Sequence, residues 1–251
     1  MVDGADRDFV ELAVALGERG RRTAPPNPWV GCVIVDGGEV VGAGFHHRPG
    51  AAHAEVAALR AAGGRSRGST AFVTLEPCAH HGRTPPCAEA LVAAGVARVV
   101  VAVRDPDPRV SGRGIRALEE AGVAVDVGPG ADAAARSLRS YLHHRRTGRA
   151  FALVKVATSL DGRTAAADGS SQWITGPEAR ADGHRLRAES QAVIVGAGTA
   201  LADRPALTAR DVTPAVERQP LRVLLDARGR VPAEGPMFDV TRAPTLVVTT
   251  D

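Results

Sequence analysis

At 251 residues the chain reaches the length at which single cores stop growing, so one large or two modest domains are expected. A hydrophobic fraction of 44% with 24% charged residues belongs to ordinary soluble globular proteins, and with 3% aromatic residues the cores must be built from Val, Leu, Ile and Ala. No apolar run nears the roughly 20 residues that span a bilayer, and the acidic, amphipathic opening MVDGADRDFVELAVALGERG argues against a signal peptide, so the cytoplasm is the expected location.

In chain order, residues 7–20 read as an amphipathic helix ended by Gly20. PPNP (25–28) breaks the chain, and VGCVIVD and EVVGAGFH follow as two strands turned at Gly37-Gly38. Residues 52–64 form a helix stopped by glycine, 70–75 a short buried strand and 87–96 a helix. ARVVVAV is a strand, GIRALEEAG a helix, VAVDVG a strand, and residues 130–145 a last helix. Alternation of strands with helices of about ten residues predicts an α/β sandwich, its sheet largely parallel after the initial hairpin. RRTGRA (145–150) looks like a seam. Beyond it FALVKVATSLDGRTA opens a strand, followed by a polar loop, the helix PEARADGHRLRAES, the strand AVIVG, a loop, and the strands LRVLLD and PTLVVTT.

The net charge of +3 is a weak pointer to nucleic acid. All 31 basic residues but Lys155 are arginine, and they lie scattered apart from HHRRTGR (143–149), which reads as a solvated linker. The three cysteines cannot all pair. Cys32 sits in a buried-strand pattern and reads as a small apolar core residue. Cys78 and Cys87 each follow a proline beside a turn-rich loop, where packing gives cysteine no advantage.

Chemistry concentrates around those two. His53 and Glu55 fall at the start of a helix, two residues apart, so they project from its first turn in different directions. Zinc takes imidazole and thiolates in a tetrahedron, and a catalytic zinc keeps one position for water. His53, Cys78 and Cys87 supply three ligands, and Glu55 is the candidate to move the proton. A His-x-Glu followed by Pro-Cys and a second Cys is the pattern of zinc deaminases, with the glutamate not a ligand. A structural zinc knot using Cys32 as fourth ligand is the bland alternative. Glu76, in LEPC, reads as a turn carboxylate bonded to backbone, with a base role as the alternative.

These residues carry a resemblance. PPNPWVGCVIV, HAEVAAL, VTLEPCAHHGRTPPC, DPDPRVSGRG, SLDGRTA, SQWITG and TALADRPALTAR resemble, in order, the bifunctional riboflavin-biosynthesis deaminase–reductases. The resemblance implies a cytidine-deaminase-like three-layer α/β/α sandwich over residues 1–148, then a dihydrofolate-reductase-like α/β domain over 149–251 that is incomplete at its C-terminus. It also implies zinc and NADPH as cofactors. The first activity would deaminate a diaminopyrimidinone carrying a phosphoribosylamino group, and the second would reduce the ribose to ribityl. The eight residues AHHGRTPP between the cysteines carry His80, His81 and Arg83, groups suited to a sugar phosphate. By resemblance, Asn27 and His46 contact the pyrimidine or ribose and Arg83 the phosphate; as plain residues they are a turn asparagine, a strand-end histidine and a solvated arginine. In the second half, Ala157, Trp173, Thr199, Asp203 and Ala227 would line the NADPH site, and Ser171, Arg187, Leu207 and Arg210 would hold the substrate. Lys155, on the strand expected to enter that pocket, is a further candidate substrate contact. VIVGAGTAL lacks the third glycine and following acidic residue of a dinucleotide fingerprint.

The expected partner is a small phosphorylated pyrimidine, with no nucleic acid or membrane, in a homo-oligomer. Two alternatives stand beside this: a deaminase whose residues 149–251 serve for docking or oligomerisation, and a zinc deaminase directed at nucleic acid.

Overall fold

A computed structural model describes residues 4–81 and 85–250. The chain falls into two compact units, Met1–Ala152 and Leu153–Asp251.

The first unit is built on a five-stranded sheet. Helix α1 (Gly4–Glu18) leads through turns at Gly20 to β1 (Gly31–Asp36), which pairs antiparallel with β2 (Glu39–Phe45) across Gly37 and Gly38, both at positive φ. β1 also pairs antiparallel with β3 (Thr70–Val73), and β3, β4 (Arg98–Val101) and β5 (Ala124–Val127) run parallel, giving the order β2-β1-β3-β4-β5. The parallel part thus covers three of five strands.

Period-two burial splits β1 between two cores. Cys32 and Ile34 face Ala71, Val73, Val99 and Val101 under α2 (Ala54–Ala62), α3 (Cys87–Ala93) and α4 (Arg113–Glu120). Val33 and Val35 join Phe72 and Val100 on the other face, beneath Val10 and Ala13 of α1 and Ala134 of α5 (Ala131–Ser137). Helices on both faces make the three layers. The expected helix over 130–145 is two helices, α5 and α6 (Arg139–Thr147), broken at Leu138. The break lets Leu138, Tyr141 and Leu142 enter a separate cluster with Trp29 and Leu75, while Ala134 stays in the sheet core.

One contact decides where α2 sits. A Cβ on Gly44 would lie 2.5 Å from the Ala58 nitrogen and 2.6 Å from the Ala54 carbonyl oxygen, and one on Gly42 would lie 2.3 Å from the Ala58 oxygen. Only glycines let β2 pass this close, so the helix rests directly on strand backbone.

The second unit carries α7 (Pro177–Glu189), β6 (Ala192–Gly196), α8 (Ala197–Asp203), β7 (Leu221–Leu225) and β8 (Thr245–Val248), with a parallel sheet ordered β6-β7-β8. Ala200, Leu207, Leu224 and Met237 form its core. Two expectations fail here. Residues 151–157 form no strand: their alternating apolar pattern finds no ladder among the described residues, and Val154 and Val156 are exposed. The loop expected after β6 is in part α8, whose Ala and Leu content outweighs the turn signal of Gly196 and Gly198. At the centre of this unit Arg222 is fully buried, donating to the carbonyls of Ala206, Pro236, Asp239 and Ala243.

Candidate metal centre and a cationic cluster

The N-terminus of α2 supplies the first part of the site. His53 is the N-cap residue, with extended backbone, and Glu55 lies in the first turn, 4% exposed. Cys78 follows the end of β3, and Cys87 opens α3. The His53 Nδ1 atom is 3.2 Å from the Cys87 sulfur and 3.6 Å from the Cys78 sulfur. All three donor atoms lie within 4.8 Å of one another. Bond lengths of about 2.0 Å to nitrogen and 2.3 Å to sulfur at tetrahedral angles require roughly 3.5 Å between N and S, so the three fit zinc.

The charge distribution suits a cation. The Cys78 thiol is drawn down to about 4, first by the hydrogen bond from Cys87 and then by His53. Cys87 is pushed up by the hydrogen bond it donates to Cys78 and by burial, and His53 is raised by its hydrogen bond with Cys78. Burial pushes the Glu55 carboxyl up, and the Cys78 thiolate adds to the effect. Among the described residues, Cys32 is outside this cluster, fully buried in the strand interior, which leaves the four-ligand knot without its fourth member. Zinc held by these three donors would keep a fourth tetrahedral position for solvent.

Beside the triad, the His46 ring stands edge-on to His53 with centroids 5.2 Å apart. His46 Nδ1 lies 3.1 Å from the Ala52 carbonyl, which can only accept, so Nδ1 carries the proton. Burial draws the His46 pKa down, which favours the neutral ring. Its Nε2, 3.1 Å from Asn27 Nδ2, therefore accepts from the amide. The relay commits the Asn27 amide nitrogen to His46, and among the described residues its oxygen has no hydrogen-bond partner. Within the inter-cysteine segment, His80 is half-buried with no partner for its Nδ1 among the described residues, and His81 is exposed. Arg83 lies outside the described residues.

Glu76 is the backbone-bonded carboxylate the sequence suggested. Its side chain is buried and accepts from the N–H groups of Asp105, Gly112, Gly114 and Ile115.

The residues singled out in the second unit are more dispersed. Ser171 and Trp173 line a cleft of about 650 Å³ with Ser159, Asp161, Arg163 and Ile174. Trp173 is exposed, with the Arg180 guanidinium 4.6 Å above its ring. Thr199 and Asp203 lie exposed on α8, Ala227 is exposed beyond β7, Ala157 is half-buried and Leu207 buried. Lys155 is exposed in an irregular stretch, on no strand, beside Gly183 of α7. Arg187 and Arg210 do meet, around His184: its Nδ1 lies 3.3 Å from Arg187 Nη1 and accepts the Arg210 backbone N–H at 3.2 Å. Burial and the Arg210 charge lower the Arg187 pKa, and burial with both arginines lowers that of His184. Sequence reading missed His184. Its signal was the i,i+3 spacing to Arg187 on α7.

A three-layer α/β/α sandwich presenting His-x-Glu at a helix start against a Cys pair defines a cytidine-deaminase-like domain. Residues 4–103 match the family described as the cytidine and deoxycytidylate deaminase zinc-binding region, and residues 150–251 match the RibD C-terminal domain. The riboflavin biosynthesis protein RibD of Chlamydia trachomatis serovar D is 53% identical over 246 residues, covering 96% of this chain and 65% of that protein. That of Haemophilus influenzae is 44% identical, covering 97% and 68%. Among solved structures, Acinetobacter baumannii RibD superposes with a TM-score of 0.89 at 46% identity, over 98% of this chain and 70% of that one. A Thermotoga maritima diaminohydroxyphosphoribosylaminopyrimidine deaminase/5-amino-6-(5-phosphoribosylamino)uracil reductase gives 0.90 at 36% identity, with the same coverage. The chain belongs to the RibD family of riboflavin biosynthesis proteins, and its second unit is the dihydrofolate-reductase-like domain of that family. It spans about two thirds of the length of these relatives.

Proposed function

We propose that this chain deaminates 2,5-diamino-6-(5-phosphoribosylamino)pyrimidin-4-one and then reduces the ribosyl side chain with NADPH, in riboflavin biosynthesis, the work being divided between residues 1–148 and 149–251. The carrying observation is the convergence of His53, Cys78 and Cys87 beside the buried Glu55. Zinc held by these three supplies, when bound, a water acidic enough to ionise at neutral pH. Glu55 then takes up a proton on its carboxylate oxygen and delivers it to the departing amino nitrogen, a role favoured by a raised pKa. Asn27 Oδ1, oriented through His46 and Ala52, accepts from an N–H of the pyrimidine. Arg83 takes its phosphate.

In the second half, Arg187 and Arg210, joined through His184, form a cationic pair that fits the phosphate of the deaminated intermediate, with Ser171, Leu207 and Lys155 helping to seat that substrate. Ala157, Trp173, Thr199, Asp203 and Ala227 contribute to NADPH binding, and the cofactor carries the hydride chemistry. A small substrate rather than nucleic acid is supported by the scattered arginines, several in ion pairs such as Arg98 with Asp6 and Arg185 with Glu189. Among the described residues no helix is long and apolar enough to cross a membrane. A cytoplasmic homo-oligomer is the proposed state, supported by the exposed apolar residues Ile194, Leu225 and Leu246 of the second sheet.

The test is incubation with the diaminopyrimidinone phosphate, with and without NADPH, following ammonia and cofactor absorbance together. Ammonia release without NADPH, then NADPH oxidation only after deamination, is expected. Ammonia without any oxidation would leave the deaminase alone, and zinc-loaded protein that releases no ammonia would refute the reading.

A further inference from the structure

We propose that Glu76 is a positioning residue for the metal site, fixing Cys78 by clamping its chain to the start of α4. The inference rests on the reading of His53, Cys78 and Cys87 as a zinc site. Glu76 stands two residues before Cys78 and is 4% exposed. Its Oε2 accepts the N–H of Asp105 at 3.3 Å and of Gly112 at 3.0 Å; its Oε1 accepts those of Gly114 at 3.1 Å and Ile115 at 3.4 Å. Gly112 is the N-cap residue of α4, and Gly114 and Ile115 lie in its first turn. These are donors that a helix cannot satisfy internally, so a carboxylate from another segment meets both their hydrogen bonds and the local positive potential.

Backbone contact reinforces the clamp. A Cβ on Gly114 would fall 1.8 Å from the Pro77 carbonyl oxygen, so α4 lies against the peptide that precedes Cys78. The Glu76 N–H donates to the Val103 carbonyl at 3.0 Å, tying the same segment to the end of β4. On the far side, the Cys78 carbonyl accepts the Ala88 N–H at 3.1 Å and its sulfur accepts the Cys87 N–H at 3.4 Å. Cys78 is therefore held from upstream through α4 and from downstream through α3. Leu91 of α3 and Ile115 and Leu118 of α4 share one core, so the two supports form a continuous packed body. Without the carboxylate, four buried N–H groups lose their acceptor and the Pro77 peptide loses its anchor. The Cys78 sulfur then wanders from its ligand position while His53 and Cys87, carried by α2 and α3, stay.

The variants are Glu76→Gln, nearly isosteric but neutral and with an amide facing two N–H donors, and Glu76→Asp, which keeps the charge. Zinc affinity is read by chelator competition, the ligand field from the absorption of cobalt-substituted protein, and folding from circular dichroism and thermal melting. Expected is a folded Glu76→Gln protein whose zinc affinity drops on the order of 10- to 100-fold, with altered thiolate–cobalt bands and partial recovery in Glu76→Asp. If Glu76→Gln does not fold, the same measurements on Glu76→Asp decide. A folded variant with wild-type zinc affinity and cobalt spectrum, merely less stable, overturns the positioning role. Wild-type protein without stoichiometric zinc overturns the zinc reading itself, and the proposal with it.

Discussion

Replacing Gly44 by alanine adds one methyl group at the contact between β2 and α2. The new carbon would stand 2.5 Å from the Ala58 nitrogen, 2.6 Å from the Ala54 oxygen and 2.7 Å from the Ala57 Cβ. Ordinary contact begins about 1 Å further out, and none of the three belongs to a flexible side chain, so the helix must move by about that distance. Overpacking of this kind costs roughly 1–3 kcal/mol, which for a unit of this size lowers the melting temperature by roughly 2–12 °C. The larger consequence falls on chemistry. His53 and Glu55 ride on the displaced end of α2, and a site must be held to about 0.5 Å to work. Gly44→Ala should therefore weaken zinc binding by about tenfold or more, in chelator competition, and lose deamination in proportion. Gly64→Ala is the control, since a Cβ there meets nothing within 4 Å. A Gly44→Ala protein with wild-type zinc affinity and melting temperature would refute the claim that strand backbone positions the metal-binding helix.

Glu55→Gln should keep its zinc and lose about 100- to 10,000-fold in deamination. Because the folded-state pKa of Glu55 is raised, its ionisation opposes folding, so stability falls as pH rises from the usual carboxylate range through the raised value. Glu55→Gln should accordingly melt higher than wild type at pH 7 in metal-free protein, with the gain vanishing below the usual carboxylate range. Asp107 behaves oppositely: Arg109 holds its carboxyl down to about 2, so its contribution is full above the unfolded value of 3.8 and disappears as pH falls through about 2. Asp107→Asn should lower the melting temperature at pH 7, and the difference from wild type should shrink with acidification across that window. Arg187→Ala should raise the KM of NADPH-dependent reduction for the phosphorylated intermediate by about tenfold or more, with deamination unchanged; equal weakening for a dephosphorylated analogue would refute the phosphate assignment.

Most of the first unit could be read from the sequence because its signals are local. Cys32 and Ile34 alternate with Val33 and Val35, glycines mark the hairpin, and His53, Glu55, Cys78 and Cys87 sit where a helix start and a proline turn announce them. What escaped was non-local. The break at Leu138 follows from the neighbours its side chain meets, Trp29 and Leu75, more than 60 residues away. The missing strand at 151–157 has the right pattern, but a pattern becomes a strand only with a ladder to join. The meeting of Arg187 with Arg210 depends on how a loop returns to α7, which no spacing records. Glu76 was legible as a backbone-bonding carboxylate, yet its four partners, 29 to 39 residues distant, were not.

Arg222 lies within the second unit with its two terminal nitrogens spread over four peptide oxygens. A planar fork can serve several acceptors at fixed angles, which an ammonium on a freely rotating stem cannot. The carbonyls it gathers belong to stretches at residues 206, 236, 239 and 243, so these otherwise irregular stretches share a single fastening. Amide protons there should exchange as one group, and Arg222→Lys should release all of them together.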